Sequence, residues 1–127
     1  MKSYRDLEIY QSAYQLAIEV HKMTLTLPAY EMYEQGSQVR RSTKSIKDNI
    51  VEGYVRNRYR QDFIRFLVYA LASCDEANSQ LTMINELHFE SKGLNDLISH
   101  YELLGKKLNK FIEYVERHWN EKLTRNQ

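Results

Sequence analysis

Three Glu-x-His triplets, Glu19-Val-His21, Glu86-Leu-His88 and Glu116-Arg-His118, carry the side chains best suited to metal chemistry in this chain of 127 residues. A di-iron carboxylate site in a helical bundle needs Glu and His three apart, so that both ligands leave one face. Two apart, they diverge by about 200° at roughly 100° per residue, and neither pair member can share an ion with the other. The histidines at 21, 88, 100 and 118 form no His-x-x-x-His pair, the helical spacing that holds zinc. No metal site and no cofactor is expected. Cys74 would act as a nucleophile only if exposed beside a base; between Ala70 and Ala77 at core spacing it reads as a small buried residue. Asn49 and Glu52, one turn apart, read as structural pairing. No Gly-rich phosphate loop, Gly-x-Ser-x-Gly or paired-carboxylate pattern appears, so no catalytic residue is expected and an enzyme is the least supported class.

What remains is recognition chemistry. Residues 38–65 hold eight Lys/Arg against Asp48, Glu52 and Asp62, a local charge of +5, while the rest of the chain carries −4. In "YVRNRYRQ", residues 54–61, Arg56, Arg58 and Arg60 alternate with polar and aromatic residues, including Tyr54 and Tyr59. Guanidinium groups contact phosphates and tyrosine rings stack on unpaired bases. The alternative for this stretch is a connection kept soluble by its charge.

These residues need elements to position them, and the composition supplies only helices. Four Gly and a single Pro in 127 residues leave room for long uninterrupted helices. Four amphipathic segments follow, each with an apolar seam at 4-3 spacing. The first, about 4–27, carries Ile9, Ala13, Leu16, Val20, Met23 and Leu27, widened on one flank by Tyr10, Tyr14 and Ala17. Pro28 stops it. The second, about 31–54, ends near Gly53 or Tyr54: either Gly53 is its C-cap, or Tyr54 and Val55 carry the helix a turn further. The third, about 62–89, runs Phe63, Leu67, Ala70, Cys74, Ala77, Leu81, Ile84 and His88. "ESKG", residues 90–93, forms a turn, and the fourth, about 94–120, carries Leu97, Tyr101, Leu104, Leu108, Phe111, Val115 and His118. His88 and His118 read as satisfied histidines near bundle ends. One all-α domain over 1–127 is expected, an antiparallel up-down-up-down four-helix bundle. A lone cysteine, no apolar leader and no window of about 18 apolar residues point to a cytoplasmic protein without a membrane partner.

A helical wheel of "QVRRSTKSIKDNIVEG", residues 38–53, places Val39, Ile46, Ile50 and Gly53 on one core arc. Beside it lies a small, polar arc, Gln38, Ser42, Ser45 and Asn49, flanked by Arg41, Asp48 and Glu52. Arg40, Lys44 and Lys47 fall opposite the core, on a basic outer stripe. The polar arc is either a second packing surface that faces another protomer or a solvated flank. On the third segment Phe66, Tyr69, Ser73, Glu76 and Gln80 share one flank, and Glu76 is expected to meet Arg41 across such a surface.

The same stretch resembles the signature of the small bacterial four-helix-bundle proteins encoded in intervening sequences of large-subunit ribosomal RNA genes. Gln38, Arg40, Arg41, Ser45, Ile46, Asn49, Ile50, Glu52 and Gly53 match that signature position by position. "YRDLEIYQSAYQLAIEV" and "DFIRFLVYALASCDEANSQL" are similar to the family's first and third helices, so the likeness covers about residues 4–120. Ser42 and Thr43 depart from two alanines, Lys47 from a common proline, Val51 from alanine and Asn78 from a frequent Glu. The resemblance implies a left-handed bundle that assembles into a homo-oligomeric ring, typically a pentamer. A related branch, the accessory proteins of diversity-generating retroelements, forms a basic pentameric barrel that binds nucleic acid and a reverse transcriptase.

Two functions follow as expectations. In the first, a non-enzymatic assembly protein holds RNA or DNA through Arg40, Lys44, Lys47, Arg56, Arg58, Tyr59 and Arg60, and meets further copies of itself through Gln38, Arg41, Ser42, Ser45, Asn49, Glu52 and Glu76. In the second, the ring is a scaffold for a protein partner, with no nucleic acid involved.

Overall fold

The computed structural model describes residues 3–89 and 91–119, and every regular element among them is helical. Four long helices, α1 (Glu8–Thr24), α3 (Gln35–Val55), α4 (Arg60–Ile84) and α5 (Lys92–His118), enclose one core, and a single short turn of helix, α2 (Ala29–Met32), lies between the first two. Neighbours in sequence pack antiparallel. Asp6 lies near Tyr54 and His21 meets Lys44, so α1 and α3 run in opposite directions. Ser42–Glu76 and Ser45–Ser73 do the same for α3 and α4, and Asn85–Asn95 and Arg60–Glu116 for α4 and α5. Lys107 bonded to Glu8 closes α5 onto α1. This is the expected four-helix bundle.

Most of the seam residues form the core, with Met23 and Phe111 only partly buried and Ile112 buried beside them. Ile9, Ala13 and Val20 of α1, Val39, Ile46 and Ile50 of α3, Phe63, Leu67, Ala70, Cys74, Ala77 and Leu81 of α4, and Tyr101, Leu104, Leu108 and Val115 of α5 are all buried. Small residues on α4 let its neighbours approach closely, and large ones fill the space this leaves, as interior packing density requires. At the end of the bundle where α3 joins α4, Phe63 is surrounded edge-on by Tyr54, Phe111 and Trp119.

The ends differ from the expected ones for local reasons. The first segment is broken at Leu7, which is extended (ψ 127°) and separates a turn at Tyr4–Asp6 from α1. Ser3 starts that turn with a capping box: its hydroxyl accepts from the Arg5 N–H while the Asp6 carboxylate accepts from the Ser3 N–H, each at 3.1 Å. At the other end α1 stops at Thr24, and Pro28 (φ −54°, ψ 148°) precedes α2, the element that periodicity does not reveal. The second segment takes the longer of its two expected ends, and Gly53 is not a C-cap. The helix continues to Val55, and Gly53 is buried against α4; a Cβ there would lie 3.1 Å from Phe63 Cδ1 and from Phe66 Cβ. The third segment changes to a π-helical turn at Asn85–Phe89. Ser91 then caps α5, its hydroxyl accepting from the Leu94 N–H at 3.2 Å, so Lys92 and Gly93 are helical rather than part of the turn. Glu90 and Asn120, assigned to that turn and to the last helix end, lie outside the described residues.

Candidate functional site

The polar arc of α3 finds its first neighbour within the chain. Ser42 is 5% exposed, and its hydroxyl donates to Glu76 Oε1 at 2.7 Å. One turn on, Ser45 Oγ and Ser73 Oγ lie 2.9 Å apart. Asn49 Nδ2 donates to the Ser45 carbonyl and hydroxyl at 2.9 and 3.0 Å. Buried polar groups are kept where they are paired; here α4 supplies the partners of Ser42 and Ser45, and α3 itself those of Asn49. The groove above this ladder is open and polar, about 500 Å³, and is lined by Gln38, Arg41 and Gln80 as well as Ser42, Ser45, Ser73 and Glu76. Gln80 Oε1 is buried in it and accepts from no group among the described residues. Within the chain Arg41 donates to Ser37 Oγ at 2.8 Å, and its expected meeting with Glu76 belongs to a surface between protomers. Glu52 is exposed and paired with Arg56.

The basic residues separate into three settings. Arg40 turns inward. Its guanidinium donates to Thr24 Oγ1 at 2.8 Å and to the Met32 carbonyl at 3.1 Å, tying α3 to the end of α1 and to α2. The expected outer stripe is corrected accordingly: α3 has a neighbour on each flank, α1 and α4, so Arg40 and Lys47 are half-buried on the α1 side instead of facing solvent. Thr43 is fully buried on that same side, a position the wheel does not mark because a threonine carries no seam signal.

Lys44 and Lys47 line a second groove, about 460 Å³, between α1 and α3, together with Tyr14, Ala17, Ile18 and Lys22. His21 completes it, with Lys44 Nζ 3.1 Å from His21 Nδ1. An ammonium can only donate, so Nδ1 accepts and the ring is neutral with its proton on Nε2. Burial and the charges of Lys44 and Arg40 hold the His21 pKa below its ordinary value of 6.5. Sequence reasoning does not mark Tyr14, Ile18, His21 or Lys22 as binding residues; the only signal is the Tyr10–Tyr14 flank beside the seam, because the groove joins helices far apart in sequence.

The third setting is the α3–α4 connection. Arg58 and Tyr59 are exposed there, Tyr59 at 63%. Among the described residues Arg58 has no side-chain partner. Arg56 lies over the Phe66 ring at 4.9 Å, and Arg60 donates to the Glu116 carbonyl at 3.3 Å.

Among the described residues no base stands beside Cys74 to activate it. Cys74 is buried and its thiol donates to the Tyr101 carbonyl at 3.3 Å; burial, with Asp75 nearby, pushes its pKa up to about 12. His88 is satisfied as expected, by a partner the sequence does not reveal. Its Nε2 donates to Glu31 Oε2 at 2.6 Å, and that hydrogen bond, with a second from Gln35, holds the buried Glu31 carboxyl below its ordinary value. No group of three His, Cys, Asp or Glu among the described residues is placed to hold a metal, and no helix among them is long and apolar enough to cross a membrane. The sequence model described as 23S rRNA-intervening sequence protein matches residues 5–110. No curated protein matches the chain.

Proposed function

The chain belongs to the 23S rRNA-intervening sequence protein family, and we propose that it is a self-assembling protein that binds nucleic acid through α3 and the α3–α4 connection. Membership of this family agrees with a non-enzymatic role. The observation that carries the nucleic-acid reading is the grouping of cations on α3 and its exit: Lys44 and Lys47 at the rim of one groove, and Arg58 beside Tyr59, both exposed. The +5 of residues 38–65, on a chain of net charge +1, favours an anionic partner for this part of the chain. Arg56 and Arg60 serve as secondary contacts, and Arg40 as a brace that holds α3 in place.

The assembly in this reading is a closed homo-oligomeric ring, a pentamer. What supports it is the open polar groove of α3 and α4, with its buried Gln80 oxygen and with Arg41 and Gln38 at its edge. A neighbouring copy would pair groups that the chain itself leaves unpaired, and repetition around a ring multiplies a modest number of phosphate contacts. The acidic remainder, at −4, favours the second reading, a scaffold for a basic protein partner.

Salt dependence separates the two. Binding of RNA or DNA through this face should weaken with salt by roughly 0.7–0.9 log unit per phosphate contact per decade, and replacing Arg56, Arg58 and Arg60 together should flatten that slope. An unchanged slope would remove the connection from the site, and no binding at low salt would leave the scaffold reading.

A further inference from the structure

The flank of α1 that faces α3 carries an aromatic row that plays no part in the function proposed so far. Tyr4 and Tyr10 meet edge-to-face at 4.9 Å, and Tyr10 and Tyr14 follow at 5.9 Å. Arg5 covers the Tyr4 ring at 4.6 Å. The row begins at the end of the bundle that also holds Tyr54 and the α3–α4 connection, since Asp6 lies near Tyr54, and it leads into the α1–α3 groove at Tyr14.

Inside that groove the surfaces are of two kinds. Tyr14, 47% exposed, stands with Ala17 and Ile18 as an apolar wall, and Lys22, Lys44 and Lys47 bring three ammonium groups to the rim. Among the described residues Lys22 and Lys44 pair with no carboxylate, while Lys47 is bonded to the exposed Asp48 at 2.6 Å. Two ammonium groups without a carboxylate, with Lys47 and the charge of Arg40 near them, favour an anion there. An exposed ring beside them favours a flat, aromatic group. A volume of about 460 Å³ falls within the range of small-ligand sites, roughly 300–1,000 Å³, which suits one nucleotide.

We propose that the α1–α3 groove receives a single, unstacked nucleotide of a nucleic-acid strand, with its base against Tyr14 and its phosphate among Lys22, Lys44 and Lys47. The strand then follows the row Tyr14, Tyr10 and Tyr4 toward Arg5 and the α3–α4 connection. This rests on the nucleic-acid reading and narrows it: the ligand is single-stranded, because bases locked in a helix have no free face to give a tyrosine.

The experiment measures binding of the full chain to fluorescein-labelled oligouridylate, oligothymidylate and a duplex of equal length, at low salt, by anisotropy. Single strands should bind about tenfold more tightly than the duplex. Tyr14→Ala should weaken single-strand binding by about tenfold, the size of one base–aromatic stack, and leave duplex binding unchanged. Tyr14→Phe, which keeps the ring, should bind as the parent does, and circular dichroism confirms that both variants are folded. Lys44→Gln with Lys47→Gln should lower the salt slope by roughly 0.7 for each phosphate that is no longer neutralised. A Tyr14→Ala variant that binds single strands normally, a Tyr14→Phe variant as weak as Tyr14→Ala, or equal affinity for strand and duplex would overturn the groove assignment while the broader reading stands. Absence of binding to all three probes would overturn both.

Discussion

The Ser42 hydroxyl donates to the Glu76 carboxylate across 2.7 Å, from a side chain that is 5% exposed to one at the surface. It joins α3 to α4 at the base of the polar groove and fixes which face of each helix the groove presents. Without it, Glu76 returns to water while Ser42's site keeps only a methyl group.

Ser42→Ala should therefore lower stability by about 1 kcal/mol, the usual net worth of such a bond when the carboxylate can be rehydrated. Urea unfolding followed by circular dichroism reads this as a shift in midpoint at constant slope. A variant as stable as the parent would show that the pairing contributes nothing.

Two glycines on helices should respond in opposite directions. At Gly53 a methyl group would meet Phe63 Cδ1 and Phe66 Cβ at 3.1 Å and the Phe63 carbonyl at 3.2 Å. Overpacking of about 1–3 kcal/mol outweighs the roughly 1 kcal/mol gain in helix propensity, so Gly53→Ala should destabilise. Gly105 would meet only Cys74 Sγ at 3.8 Å and Leu71 Cδ1 at 4.0 Å, an ordinary contact, and Gly105→Ala should stabilise by about 0.5–1 kcal/mol. Thermal melts of both variants against the parent decide it.

Arg40 and Arg58 should divide into structure and binding. Arg40→Met removes the bonds to Thr24 and to the Met32 carbonyl and should cost about 1–3 kcal/mol, leaving the salt slope of nucleic-acid binding as it was. Arg58→Gln should change stability by less than about 0.5 kcal/mol and lower that slope. Paired unfolding and binding titrations of the two variants check both outcomes, and the reverse pattern would contradict the division.

Whether a feature is legible in the sequence depends on what sets it. The seams are legible because burial repeats with the helix period, and Val39, Ile46 and Ile50 are indeed fully buried. Cys74 is legible as a core residue for the same reason. The inward turn of Arg40 is not, since it depends on Thr24 and on the Met32 carbonyl of α2, an element of four residues with no seam of its own. Gly53 reads as a helix end because a cap and a close approach both call for glycine. The α1–α3 groove is built from residues of helices separated along the chain, and no single wheel contains it.

The pair of buried Glu31 and half-buried His88 should give the protein an acid-sensitive stability. His88 holds the Glu31 carboxyl below its ordinary 4.5, so as pH falls through that value the unfolded chain takes up the proton first. Stability is then intact above about pH 4.5 and declines progressively below it. In Glu31→Gln this part of the acid loss should vanish. Unfolding curves at about pH 6 and about pH 4, either side of the ordinary carboxyl value, measure the difference between the parent and the variant. Parallel losses in both would place the acid sensitivity elsewhere.

The most direct test of the central claim is the mass of the protein in solution by light scattering, with nucleic-acid absorbance followed across the same peak. A self-assembling nucleic-acid binder should elute as a particle of about five chains, each of 15.2 kDa, with ultraviolet absorbance from nucleic acid that treatment with high salt removes. A single 15.2 kDa species free of nucleic acid at every concentration would contradict it.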